Sequence, residues 1–173
     1  MKRERIMVLL AHPDMERSQG NKALIEAIKD YPQVDVVNLC EENFFDAEEF
    51  AEKINMSKAV IFQFPFYWAS APASMKKWID EIFTPIAKTD IVKGKPLLIV
   101  TTTASEAGAY RSGGSNHFTI DELLRPYQLL ANHSGMVWQT PLAVCGLSTA
   151  SVAVSIEEGC KLYREKIEYL ISF

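Results

Sequence analysis

His12, Ser18, Gly20 and Asn21 fall within ten residues of an apolar run over positions 6–11, giving one short segment an imidazole, a hydroxyl and an amide. All three side chains donate hydrogen bonds, and Gly20 allows close backbone approach. A polar loop between a buried strand and a helix start suits an anion such as phosphate, because unpaired N–H groups and the helix dipole both favour negative charge. Taken alone, Ser18 or Asn21 fits a helix N-cap better than a ligand contact. The segment lacks both Gly-x-Gly-x-x-Gly and Gly-Lys-Ser/Thr, which argues against a dinucleotide fingerprint and against a nucleoside triphosphatase.

Two further groups have chemical potential. Pro65, Phe66, Tyr67 and Trp68 follow an apolar run over 59–63. Three consecutive aromatics at a strand mouth are hard to bury together; a flat aromatic ligand explains them, and a hydrophobic plug or subunit contact explains them equally well. Thr102, Thr103, Ala104 and Ser105 follow a third apolar run and supply hydroxyls and small side chains that let backbone N–H groups reach a ligand edge. Tyr110 and His117, further along that segment, are the candidate proton or hydrogen-bond donors to a reducible substrate. On a loop, either residue is more often incidental.

These groups need a frame, and the apolar periodicity supplies one. Strand-length runs at 6–11, 34–38, 59–63, 96–102 and within 136–144 alternate with helical patterns at 22–30, 47–54, 73–83, 119–132 and 156–170. Repeated βαβ units of this kind predict a parallel sheet, and Pro141 is expected to shorten or bend the last strand. The runs at 6, 59 and 96 are apolar on both alternating faces, so helices must cover both sides. The expected fold is an open, doubly wound α/β sheet whose ligand loops meet beyond the strands' carboxyl ends. In helix 73–83, Met75, Trp78, Ile79, Ile82 and Phe83 form a packing stripe, which places Trp78 in a core or interface. Lys76, Lys77, Asp80 and Glu81 are left as a solvated face. Positions 108–117, rich in Gly, Ser and Asn, read as a flexible loop.

With 173 residues, 48% hydrophobic and 23% charged, the chain is long enough for one packed domain over 1–173 without metal or disulfide staples. A net charge of −4 and the lack of a basic block exclude any evident nucleic-acid or anionic-membrane surface. Cys40, Cys145 and Cys160 have no metal-ligand spacing and read as reduced thiols. The first apolar run is too short for a signal-peptide core or a membrane span, so a cytoplasmic location is expected.

Taken together, His12-Pro13 with Ser18 and Asn21, Phe64-Pro65-x-x-Trp68-x-x-x-Pro72-x-x-x-Lys76-x-Trp78-Ile79-Asp80, and Thr102-Thr103 leading to Tyr110 resemble the flavodoxin-like NAD(P)H:quinone oxidoreductases. The resemblance is greatest to the short bacterial branch that includes ancillary proteins of glutathione-gated potassium efflux systems. It covers nearly the whole chain, and the middle motif is the most specific. It implies a flavodoxin-like five-stranded parallel sheet with helices on both faces, FMN (or, alternatively, FAD) as cofactor and NAD(P)H as electron donor. A quinone-like acceptor, a homodimer and a possible transporter partner are also implied. By the same resemblance, His12, Ser18, Gly20 and Asn21 hold the flavin phosphate or its neighbourhood, Pro65, Phe66, Tyr67 and Trp68 line the isoalloxazine, and Thr102, Thr103, Ala104 and Ser105 contact its other edge. Tyr110 and His117 face the substrate, with His117 one position out of register. Ala104-Ser105 stands where the family has Gly-Gly, so close backbone approach there requires that neither residue be left-handed.

Overall fold

β1 (Arg5–Leu10), β3 (Ser57–Pro65) and β4 (Pro96–Thr102) are almost entirely buried and lie side by side at the centre of a parallel sheet. The computed structural model describes residues 5–41 and 46–173; Met1–Glu4, part of the amino-terminal reading above, lie outside them. The strand order is β2-β1-β3-β4-β5, with β2 at Val34–Asn38 and β5 at Val137–Trp138. Chain order reverses between β1 and β3, which puts the switch point, and hence the expected ligand crevice, at the carboxyl ends of those two strands.

The alternation of β1 explains why both faces need cover. Met7 and Leu9 point into one core with Val60, Phe62, Phe64 and Ile99, closed by residues of α2 (Ala47–Met56), α3 (Ala73–Trp78) and α6 (Arg125–His133). Ile6 and Val8 point into the other with Ile61, Leu98 and Val100, closed by α1 (Gly20–Ile28) and α7 (Val152–Ser172). This is the doubly wound arrangement expected from strands that are apolar on both faces. Trp78 is fully buried against Phe50, Phe62 and Phe83, so it is a core residue, and its helix exposes Lys76–Asp80 and Lys77–Glu81 ion pairs on the other face.

Three expectations change in detail. The last strand is two short pieces, β5 (Val137–Trp138) and β6 (Leu142–Val144), both paired with β4. The register advances by one residue between them, a bulge at the segment containing Pro141, which has no N–H to give a ladder. The pattern over 73–83 continues past α3 as a π turn at Ile79–Phe83 and then α4 (Thr84–Ile86), where Pro85 brings no N–H. The pattern over 119–132 divides into α5 (Ile120–Leu123) and α6, with Pro126 in the first turn of α6.

The three cysteines are free, and among the described residues no group of His, Cys, Asp and Glu is arranged to hold a metal ion.

Candidate functional site

The loops after β1, β3 and β4 each leave backbone donors without an acceptor among the described residues. In the first, α1 begins at Gly20 with Gln19 as its cap residue, and no side chain caps it. Neither Ser18 nor Asn21 takes the N-cap role that suits them in isolation, so the first-turn N–H groups remain available. Both side chains are nonetheless buried, as is His12. Gly20 serves packing: a Cβ there would lie 2.3 Å from Leu147 Cδ1 and 3.3 Å from Thr102 Cγ2.

His12 Nδ1 accepts from the Asp14 N–H at 3.2 Å, so a neutral ring carries its proton on Nε2. Burial lowers its pKa below the usual 6.5, opposed by the Asp14 charge. A depressed histidine pKa gives stability that is present above about 6.5 and lost as pH falls through the folded-state value. The His12 ring is therefore expected to titrate below 6.5 in an NMR titration of the unliganded protein, and adding a phosphate-bearing ligand should raise it. A value at or above 6.5 without ligand refutes the neutral-donor assignment.

The second loop is a tight turn. Tyr67 N–H donates to the Ser70 carbonyl at 2.8 Å and Ser70 N–H returns to Tyr67 at 3.1 Å, while the two central residues, Trp68 (φ 53°) and Ala69 (φ 59°), are both left-handed. Two consecutive positive φ values are the signature of a type I′ turn, which Gly and Asn fill at less steric cost. The effect is to hold Trp68 fully exposed, at 102% of its reference area, with Tyr67 half in solvent. The hydrophobic-plug reading is thereby excluded for Trp68. Phe66 turns inward and stacks on Phe64 at 6.2 Å. Behind the turn, the Tyr127 hydroxyl accepts the Ala71 N–H at 3.2 Å, and its ring lies 5.2 Å from Phe64. Burial raises the Tyr127 pKa, so it stays a neutral phenol. Tyr127→Phe strands the Ala71 N–H and should cost about 1–2 kcal/mol in denaturant unfolding; an unchanged midpoint would mean that water replaces the hydroxyl.

The third loop is pinned from behind. The carbonyls of Thr103, Ala104 and Ser105 accept the N–H groups of Leu147 (3.0 Å), Ser148 (3.1 Å) and Gly146 (2.8 Å), and Thr103 Oγ1 also donates to the Ser105 carbonyl at 2.8 Å. With every carbonyl occupied on that side, the Ala104 and Ser105 N–H groups have no acceptor among the described residues. Neither residue has positive φ, so the two side chains in place of Gly-Gly meet the backbone condition for close approach.

Positions 108–117 are not an open chain. Asn116 N–H donates to the Ala109 carbonyl at 3.1 Å and His117 N–H to Gly114 at 3.0 Å, closing a compact loop that carries half-buried Tyr110 and exposed His117, the latter left-handed at φ 60°. Gly114 makes the closure possible, because a Cβ there would fall 2.5 Å from the Ala109 carbonyl oxygen.

Two site residues have no clear mark in the sequence. Gln63, in the middle of an apolar strand, donates from Nε2 to the Asn21 carbonyl and Oδ1 at 3.2 and 3.3 Å, and Asn21 Nδ2 donates to Thr102 Oγ1 at 3.0 Å. A glutamine inside Val-Ile-Phe-Gln-Phe was the available signal. Tyr127 is the other, hidden in the α6 stripe.

The open, doubly wound sheet gathers unpaired backbone donors on its carboxyl-end loops, at the crevice where α/β sheets of this kind bind ligands. Residues 4–167 match the flavodoxin-like fold family, and the chain belongs to that family. It is 34% identical over 171 residues to general stress protein 14 of Bacillus subtilis (strain 168), covering 95% of this chain and 97% of that one. It is 31% identical over 147 residues to the glutathione-regulated potassium-efflux system ancillary protein KefG of Serratia proteamaculans (strain 568), covering 81% and 80%. Among solved structures, an NADPH-quinone reductase of P. pentosaceus superposes with a TM-score of 0.80 at 28% identity, covering 92% of this chain and 97% of that one. General stress protein 14 of Treponema denticola, solved in complex with FMN, shares the fold with a TM-score of 0.87 at 24% identity, covering 96% and 99%.

Proposed function

We propose that this protein is a flavin-dependent NAD(P)H oxidoreductase that reduces quinones or similar flat electrophiles by two-electron, ping-pong turnover, with residues 1–173 acting as one FMN-binding domain. The observation that carries the reading is the convergence of unpaired backbone donors on the three loops, beside a tryptophan held in solvent by a left-handed turn. The likeness to a quinone reductase and the FMN complex of a protein sharing the fold support the substrate class and the flavin.

The residues present suit that cofactor. The α1 amino terminus, Ser18 and Asn21 suit the phosphate, with His12 as a neutral donor; Pro65, Phe66, Tyr67 and Trp68 suit the ring; and the Ala104 and Ser105 N–H groups suit its polar edge. A flavin held there would supply two-electron chemistry between NAD(P)H and the acceptor. The chain orients the ring, excludes water from it and presents donors where negative charge develops. Tyr110 is assigned as a donor to the acceptor's oxygen, with His117 as its neighbour on the same loop. Tyr110→Phe should lower quinone turnover without changing flavin retention; unchanged steady-state reduction removes the assignment.

The deciding experiment is reconstitution with FMN and with FAD, following the flavin's visible absorbance during NAD(P)H and then quinone addition. Bleaching followed by recovery supports the reading, whereas a flavin that is not retained or not reduced overturns it. The KefG relative favours one second reading, a regulatory flavoprotein that docks on a potassium-efflux transporter's cytosolic domain. Capture of such a domain by a protein with negligible quinone turnover would favour it. We also propose a cytoplasmic homodimer, supported by exposed Tyr67 and Trp68 at the site mouth; among the described residues no helix is long and apolar enough to cross a membrane. A monomeric mass in sedimentation would count against the dimer.

A further inference from the structure

We propose that Gln63 is a positioning residue of this site: through Asn21 it fixes the Thr102 hydroxyl as an obligatory hydrogen-bond donor to the bound flavin. The inference rests on the flavin reading above and deepens it.

The Asn21 backbone carbonyl can only accept, and Gln63 reaches it at 3.2 Å, so the amide nitrogen of Gln63 must face it. The opposite amide orientation would set two oxygens against each other. Gln63 Nε2 then also faces the Asn21 side chain at 3.3 Å, which forces the Asn21 oxygen toward Gln63 and its nitrogen toward Thr102. Asn21 Nδ2 donates to Thr102 Oγ1 at 3.0 Å, so that hydroxyl is already an acceptor. Its own proton has no acceptor among the described residues.

Every member of this chain is buried: Gln63 is 0%, Asn21 2% and Thr102 3% exposed. The arrangement leaves Gln63 Oε1 buried without a donor among the described residues. An orphaned buried oxygen is costly, and here it is the counterpart of a directional chain anchored on a backbone carbonyl. The chain spans three elements, β3, α1 and β4, and so ties the loop suited to phosphate to the loop suited to the flavin edge. Because flavin reduction adds electron density, a donor held in this sense favours the reduced form over the oxidised one.

The test compares Gln63→Met, Thr102→Val and the double variant by FMN dissociation constant, from quenching of flavin fluorescence, and by midpoint potential. Thermal unfolding of the flavin-free proteins monitors folding. Each single variant should weaken FMN about tenfold, one hydrogen bond's worth, and lower the potential. The double variant should be no worse than Thr102→Val, because Gln63 acts only through that hydroxyl. Additive losses would assign Gln63 to general packing and overturn the proposal, as would wild-type affinity and potential in a folded Gln63→Met protein. If Gln63→Met does not fold, Asn21→Asp carries the test. It is nearly isosteric, and its carboxylate takes the Thr102 proton and reverses the chain, so adding Thr102→Val should then weaken FMN no further; a further tenfold loss would overturn the proposal. Failure of the wild-type protein to bind FMN would instead sink the functional reading, and this inference with it.

Discussion

Gly114→Ala should lower quinone turnover by about 100-fold while leaving FMN affinity within a few-fold, because a displacement of about 1 Å at a reacting group is enough for a loss of that size. The added Cβ would meet two backbone oxygens, Ala109 at 2.5 Å and Gly108 at 2.6 Å, neither of which can rotate away as a side-chain tip could. The closed loop bearing Tyr110 and His117 must open. Residues 103–105 are held separately by the turn at 146–148, so the donors assigned to the flavin edge stay in place. Steady-state kinetics of the FMN-loaded variant, alongside flavin titration, separates the two halves. Equal loss of both would mean that the segments move together; no loss of turnover would remove Tyr110 and His117 from the reaction.

Trp78→Ala should have the largest effect on stability, about 3–5 kcal/mol, in the range found for emptying a buried tryptophan site. Its ring makes edge contacts with Phe50 at 5.5 Å and Phe62 at 5.9 Å and a tilted one with Phe83 at 5.9 Å, so α2, β3 and the π turn all lose a neighbour. For a domain of this length the melting temperature should fall on the order of 10 °C. The indole nitrogen is buried without a partner among the described residues, so Trp78→Phe should keep most of the stability. A loss below 1 kcal/mol in chemical denaturation would mean that the core collapses around the gap.

The central strands were legible because burial on two faces leaves an unmistakable run: 96–102 matches β4, and 6–11 and 59–63 fall on β1 and β3; 34–38 matches β2, a half-buried strand at the sheet edge. The broken fifth strand was only half legible. Pro141 announced a disturbance, but a one-residue register change depends on the pairing partner and has no local mark. Helical periodicity likewise passed through Pro126, since a proline in a first turn keeps the apolar stripe intact, and it gave no sign of the π turn inside 73–83. At the site, the segments containing His12, Trp68 and Thr102 were readable from residue type at strand mouths. Gln63 was not, because its partners are 42 residues away on α1 and act through hydrogen-bond direction rather than composition. The closure of the loop at 108–117 was not legible, because the Gly and Ser that read as a flexible loop also serve a tight turn through Gly114.

The turn at Tyr67–Ser70 also gives the protein a built-in optical reporter. Of the three tryptophans, Trp78 is fully buried and Trp138 partly so, leaving Trp68 as the one whose indole meets bulk solvent directly. Its emission is therefore the red-shifted, quencher-accessible component of the intrinsic fluorescence. A ring-bearing ligand settling beside it would dim that component first, so occupancy of the site can be followed in the unlabelled protein.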